Sequence, residues 1–170
     1  EIERGTMENL LTTPARPFEV MMGKIFPYIA VGYVQTAIIL IAARWLFDVP
    51  MIGSLTLLSA VLFLFVAANL AVGFTFSTLA TNQLQAVQMA VFFFLPSILL
   101  SGFMFPFRGM PVWAQWIGEI LPLTHFLRII RGILLKGNTT SDILMDVGAM
   151  ALFFIAATVI ALNRYRQTLD

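Results

Sequence analysis

The chain has 170 residues, of which 59% are hydrophobic and only 11% charged, with a mean hydropathy of +0.90. Soluble domains carry about 25% charged residues, so this chain has too little charge to cover a water-facing surface, and lipid must be the solvent for much of it. A net charge of +1 argues against a nucleic-acid surface, and the absence of cysteine excludes disulfides, thiol chemistry and Cys-based zinc sites.

The opening, EIERGTMENLLTTPARPFEVMMGKIF, is the most polar long stretch. Thr6 suits an N-cap, and Glu8 falls in the first turn, where the helix dipole favours a carboxylate. Met7, Leu10 and Leu11 stand at i, i+3 and i+4, a narrow apolar stripe. Pro14 ends this helix after Thr13. Pro17 can start the next, with Phe18, Met21, Met22 and Ile25 along one side. The pattern predicts a short helix outside the bilayer. Lying on lipid headgroups is one use for it, but Glu1, Glu3, Glu8 and Glu19 would be repelled by an anionic leaflet, which favours a protein groove. The chain begins at Glu1 with no basic leader and no cleavage signal, so it reads as a piece of a longer protein.

Four apolar runs are long enough to cross a bilayer, which takes about 20 helical residues. They cover residues 25–47, 51–80, 86–105 and 143–162. Asp48-Val49-Pro50 and Thr81-Asn82-Gln83 separate the first three. Pro27 and Pro96 lie inside spans, where neighbours can re-satisfy a freed carbonyl. With four spans both tails share a side. That side holds Arg4, Arg16, Lys24, Arg164 and Arg166, and the other holds Arg44, Arg108, Arg128, Arg131 and Lys136, so the distribution of cations gives no orientation.

Residues 106–141 have another character. Pro111 can start a helix with Val112, Trp113, Trp116, Ile117, Ile120 and Leu121 on one face and Gln115 and Glu119 opposite. Pro122 breaks it, and LTHFLRIIRGILLK reads as a second helix closed by Lys136-Gly137-Asn138. Both are too short to span and are expected to be re-entrant or interfacial. Trp113 and Trp116 suit an interface. Thr140, Ser141 and Asp142 offer caps for the last span. The sequon at Asn138 is a tripeptide common by chance.

Catalytic constellations are absent: there is one histidine, His125, and no HExxH, GxSxG or P-loop motif. No catalytic or metal-binding residues are expected. His125, Arg128 and Arg131 form a loose polar stripe that could attract an anion, or whose cations could simply snorkel. Gln35, Asn69, Gln88 and Ser101 are polar positions at membrane depth, suited to helix packing or to a pathway. Ala67, Ala71 and the Gly73/Ser77 pair have the spacing of close helix contacts. Phe92, Phe93 and Phe94 serve lipid contact or packing. Asp146 lies one turn into the last span, favourable to its dipole.

The segments ERGTMENLLTTPARPFEVMMGK and LLSGFMFPFRGMPVWAQWIGEILPLTHFLRIIRGILLKG resemble, in order, the cytoplasmic and late segments of type-2 ABC exporter permeases, a branch that includes drug exporters. The resemblance covers essentially the whole chain. It implies an all-α polytopic membrane protein with four spans, a cytoplasmic coupling helix and two short outer helices. Residues 1–24 would be the coupling and juxtamembrane segment, 25–105 three spans, 106–141 the outer helices, and 142–170 the last span and cytoplasmic tail. Thr6, Met7, Glu8, Leu10, Leu11, Thr13, Pro14 and Pro17 would contact a cytoplasmic ABC ATPase subunit. A second permease subunit, identical or not, would complete the pathway. ATP and Mg would be bound by the ATPase and no cofactor by this chain. Two spans would precede Glu1, and the setting would be a bacterial inner membrane. The alternatives from other classes are an intramembrane enzyme using His125 and a membrane assembly subunit without transport.

Overall fold

A computed structural model describes residues 17–167 of the chain. Every regular element among these residues is a helix. In order they are α1 (Pro17–Phe47), α2 (Leu55–Leu79), α3 (Gln83–Leu100), α4 (Val112–Ile120), α5 (Pro122–Arg131) and α6 (Thr140–Gln167). A 3₁₀ turn (Phe107–Gly109) precedes α4, and a π-helical turn (Gly132–Lys136) continues α5. Four helices are long and apolar enough to cross a membrane: Ile25–Phe47, Leu55–Leu79, Gln83–Leu100 and Thr140–Asn163. The chain is therefore an all-α, multi-pass membrane protein.

Local chemistry sets the helix ends. Ser54 caps α2, its hydroxyl accepting from the Leu57 N–H at 3.3 Å. Asn82 caps α3 by accepting from the Gln85 N–H at 2.8 Å, and Gln85 reaches back to the Thr81 N–H at 2.8 Å. For α6 the cap is Thr139, one residue before the expected group. Asp142 sits three positions on and accepts from the Thr139 N–H and hydroxyl, both at 2.8 Å, which supplies the carboxylate half of a capping box. The third span is shorter than its apolar run, because α3 stops at Leu100 and residues 101–106 turn back toward α4.

Packing concentrates where α2, α5 and α6 meet. Leu58, Val61 and Leu62 of α2 join Phe126, Ile129, Ile133 and Leu134, and Ile143 and Met150 of α6, in the main core. The Phe65 and Phe126 rings stack at 3.9 Å with planes 2° apart. Further along, Ala71 and Val72 pack against Ala157, and the Thr75 hydroxyl donates to the Ala71 carbonyl at 2.9 Å. Small residues bring these two backbones close, which matters in lipid because helix association there relies on contact rather than on escape from water. Ala67 and Ala71 are buried in this way, whereas Gly73 and Ser77 face outward. Tyr33 pins α1 to α2, donating to the Ser59 carbonyl at 2.7 Å. Most of α1 and of α3 remains exposed, including Val34, Ile38, Trp45, Phe92 and Phe94.

The short helices sit at one end of the four spans. At 9 and 10 residues, α4 and α5 are each about 15 Å long or less, half a hydrocarbon core. The α1–α2 connection shares this end, with the Ile52 N–H donating to the Leu134 carbonyl at 3.3 Å. The α2–α3 turn around Asn82 lies at the other.

Candidate functional site

The α4–α5 hairpin is locked at its corner. The Thr124 hydroxyl, 2% exposed, donates to the Gly118 carbonyl at 2.6 Å. Ala114 and Gly118 form the inward face of α4, while Val112, Trp113, Trp116, Ile117 and Ile120 point outward. The broad apolar stripe of this helix thus faces the surroundings, and its small residues face the protein. A side chain at position 118 has no room, because a Cβ there would stand 2.6 Å from the Leu100 carbonyl oxygen and 2.8 Å from the Phe107 ring. At the far end Gly137 closes the π turn in the left-handed region at φ 70°, which a residue with a Cβ adopts only at a cost.

Behind the hairpin, four ionisable side chains from three helices converge. His125 is buried, 6% exposed. Its Nδ1 lies 2.7 Å from Oδ1 of Asp146 on α6, and its Nε2 lies 2.8 Å from the Glu119 carbonyl oxygen at the end of α4. Arg128 Nη1 donates to the same Asp146 Oδ1 at 3.0 Å, and Nη2 donates to Glu119 Oε1 at 2.7 Å. Glu119 Oε2 also faces His125 Nε2 at 3.8 Å. The Arg128 guanidinium stands 5.6 Å from the Phe107 ring centroid, within cation–π range. The Glu119 hydrogen bond is the largest influence holding the Arg128 proton above its usual affinity; partial burial opposes it, and the charges of Glu119 and Asp146 reinforce it.

This arrangement ties the hairpin to α6 and leaves little for acid–base chemistry. Both imidazole nitrogens are engaged, so His125 has no free nitrogen to present to a substrate. Among the described residues no group of three or more His, Asp or Glu is placed to hold a metal ion.

The polar stripe separates into two jobs. His125 and Arg128 enter the cluster, whereas Arg131 turns to the loop after α3 and donates from both Nη atoms to the Gly102 carbonyl at 3.3 Å. Asp146 has partners of its own beyond any dipole role, and together with Glu119 it supplies the acids that the stripe lacked. The polar residues at membrane depth do not converge. Gln35 and Gln88 are exposed on α1 and α3, Asn69 bonds to the Phe65 carbonyl of its own helix at 2.9 Å, and Ser101 to that of Ile98 at 3.0 Å. Thr6, Met7, Glu8, Leu10, Leu11, Thr13 and Pro14 lie outside the described residues, and Pro17 is the first residue of α1.

Comparison with known proteins places the chain in a family. The ABC-2 type transporter family matches residues 1–135, a stretch that includes the polar opening and the hairpin. The chain is similar to the probable multidrug ABC transporter permease YbhS of Escherichia coli, with 35% identity over 94% of this chain and 41% of that protein. It is similar also to YbhR, a probable multidrug ABC transporter permease of the same organism, at 35% identity over 80% of this chain and 37% of that protein. The inner membrane transport permease YhhJ, again of Escherichia coli, is 31% identical over 99% of this chain and 46% of its own length. No solved structure matches. The chain spans less than half the length of these curated relatives. From its first 135 residues and its four apolar helices, the chain belongs to the ABC-2 type transporter family.

Proposed function

We propose that the chain is the membrane-spanning part of an ATP-driven exporter in a bacterial inner membrane. The observation that carries this is the family match, which includes the polar opening before α1 as well as the spans. In this reading the Asn82 turn and both tails face the cytoplasm, and the hairpin faces outward. The helix expected over residues 6–13 seats in a groove of a cytoplasmic ABC ATPase subunit, where ATP is hydrolysed. A second permease subunit pairs with this one across the exposed faces of the spans. The names of YbhS and YbhR favour drug-like organic molecules as cargo, which suits an interior with no fixed charge on α2 or α3. The alternative of an enzyme using His125 loses its base, because both ring nitrogens are already bonded.

The test is association. Leu10→Asp puts a carboxylate into the apolar stripe, and an interface anchor is worth about 2 kcal/mol or more. In the full-length protein co-expressed with its ATPase, this variant should insert normally but lose ATPase co-purification or transport. Asn9→Asp, on another side of the same helix, should be milder. Unchanged association and transport in Leu10→Asp would remove the coupling role.

A further inference from the structure

We propose that His125 and Asp146 form a proton-dependent clasp between the α4–α5 hairpin and α6, closed while both ring nitrogens of His125 carry protons and loosened when one is lost. The inference rests on the cluster's geometry and stands whether or not the transport reading holds.

The Glu119 carbonyl oxygen, 2.8 Å from Nε2, can only accept, so Nε2 must donate. Asp146 Oδ1, 2.7 Å from Nδ1, already accepts from Arg128 Nη1 at 3.0 Å, as a carboxylate oxygen does. Nδ1 must therefore donate as well. Only the imidazolium satisfies both contacts. Loss of either proton aims a nitrogen lone pair at an oxygen lone pair at hydrogen-bond distance, inside a site with little water to intervene.

Charge balance agrees. With His125 protonated, two carboxylates face two cations and the cluster is neutral. Without that proton it carries one excess negative charge on partly buried groups. The groups facing the imidazole are Glu119 from α4, Arg128 from α5 and Asp146 from α6. The other two helices that pack on α5, α2 and α3, carry no ionisable side chain. Arg131 is turned to Gly102, and Asp142 is bonded to Thr139. Nothing else among the described residues is placed to replace the lost proton. Since the imidazolium is the form that satisfies both contacts, the clasp holds while the ring keeps both protons and is lost when one is removed.

The structure gives the clasp something to move. The hairpin is rigid at its own corner through Thr124 and Gly118, so loosening at His125 would act on α4 and the first turn of α5 together, while Phe126 and Ile129 stay in the core with α6.

The experiment uses the full-length protein in lipid nanodiscs with ¹⁵N-labelled histidine, the His125 signal being identified by its loss in His125→Gln. Amide hydrogen exchange of residues 112–136, corrected for its intrinsic base dependence, is followed over the same range of about pH 5–8. The expected result is a doubly protonated ring at the acid end. Exchange should then rise with pH above the titration, by up to about tenfold per pH unit for one linked proton, and should not depend on pH in His125→Gln. Both signals are read on the unmodified protein, so poor folding of the variant does not rescue the idea. A neutral ring throughout, or corrected exchange that ignores pH in the unmodified protein, overturns it.

Discussion

Truncating Asp146 to alanine removes the acid that serves both bases of the cluster. Its Oδ1 takes His125 Nδ1 at 2.7 Å and Arg128 Nη1 at 3.0 Å, and its side chain is only 16% exposed. Arg128 retains Glu119 at 2.7 Å and, at 45% exposure, can turn to water, so little is lost on its side. His125, with its side chain 8% exposed, retains only the Glu119 carbonyl and becomes a buried ring with an empty donor. Breaking a buried pair in this way costs about 3–5 kcal/mol, and the partial exposure of Asp146 places the expectation near the low end, about 3 kcal/mol. Glu119→Ala is the matched comparison. It leaves the Glu119 carbonyl in place and removes a pair whose members are 43% and 45% exposed, worth about 0.5–1 kcal/mol. The assay is unfolding of the full-length protein in mixed micelles, followed by helical circular dichroism across a denaturing-detergent titration. A cycle with His125→Ala should show coupling between positions 125 and 146 of about 1.5–3 kcal/mol. If Glu119→Ala costs as much as Asp146→Ala, or if positions 125 and 146 contribute additively, the buried pair does not hold the hairpin and the reasoning fails.

Gly118→Val should destabilise by about 1–3 kcal/mol through overpacking against the Leu100 carbonyl and Phe107, whereas Trp116→Val on the outward face of the same helix should be nearly neutral; the same unfolding titration compares them. Ile133→Ala, at a fully buried position of the main core, should cost about 2–5 kcal/mol. Ser54→Ala removes the α2 cap and should cost about 1 kcal/mol, read as faster hydrogen exchange in the first turn of α2; exchange equal to the parent would show that the cap contributes nothing.

The spans were legible because the bilayer imposes a length on any apolar run that crosses it, and Asp48-Val49-Pro50 and Thr81-Asn82-Gln83 punctuate the runs clearly. The two short helices were legible from Pro111 and Pro122. What the pattern could not give was which residues of these helices face the protein. In water an apolar stripe points inward, but beside lipid Trp113 and Trp116 gain nothing by burial, and Ala114 and Gly118 pack because they permit close approach. The same holds for α2, where Ala71 packs with Ala157 of α6 and Ala67 is buried, while Gly73, equally small, faces out. The cluster was hidden for another reason. His125 and Asp146 are 21 residues apart on different helices, and helical periodicity relates only neighbours three or four apart. Reading His125, Arg128 and Arg131 as one stripe joined Arg131 to a site it does not enter, since its partner is the Gly102 carbonyl.

The measurement that bears most directly on the central claim is a pair of single cysteines in the full-length protein, co-expressed with the proposed ATPase subunit in sealed cells. The sequence supplies a cysteine-free background over this region. A cysteine at Asn138, beside the hairpin, should be labelled by an impermeant thiol reagent added from outside. A cysteine at Leu10 should stay unlabelled and instead cross-link to the ATPase subunit. Labelling of both from outside, or cross-linking of the Asn138 cysteine to the ATPase, would contradict a permease whose polar opening and α4–α5 hairpin work on opposite faces of the membrane.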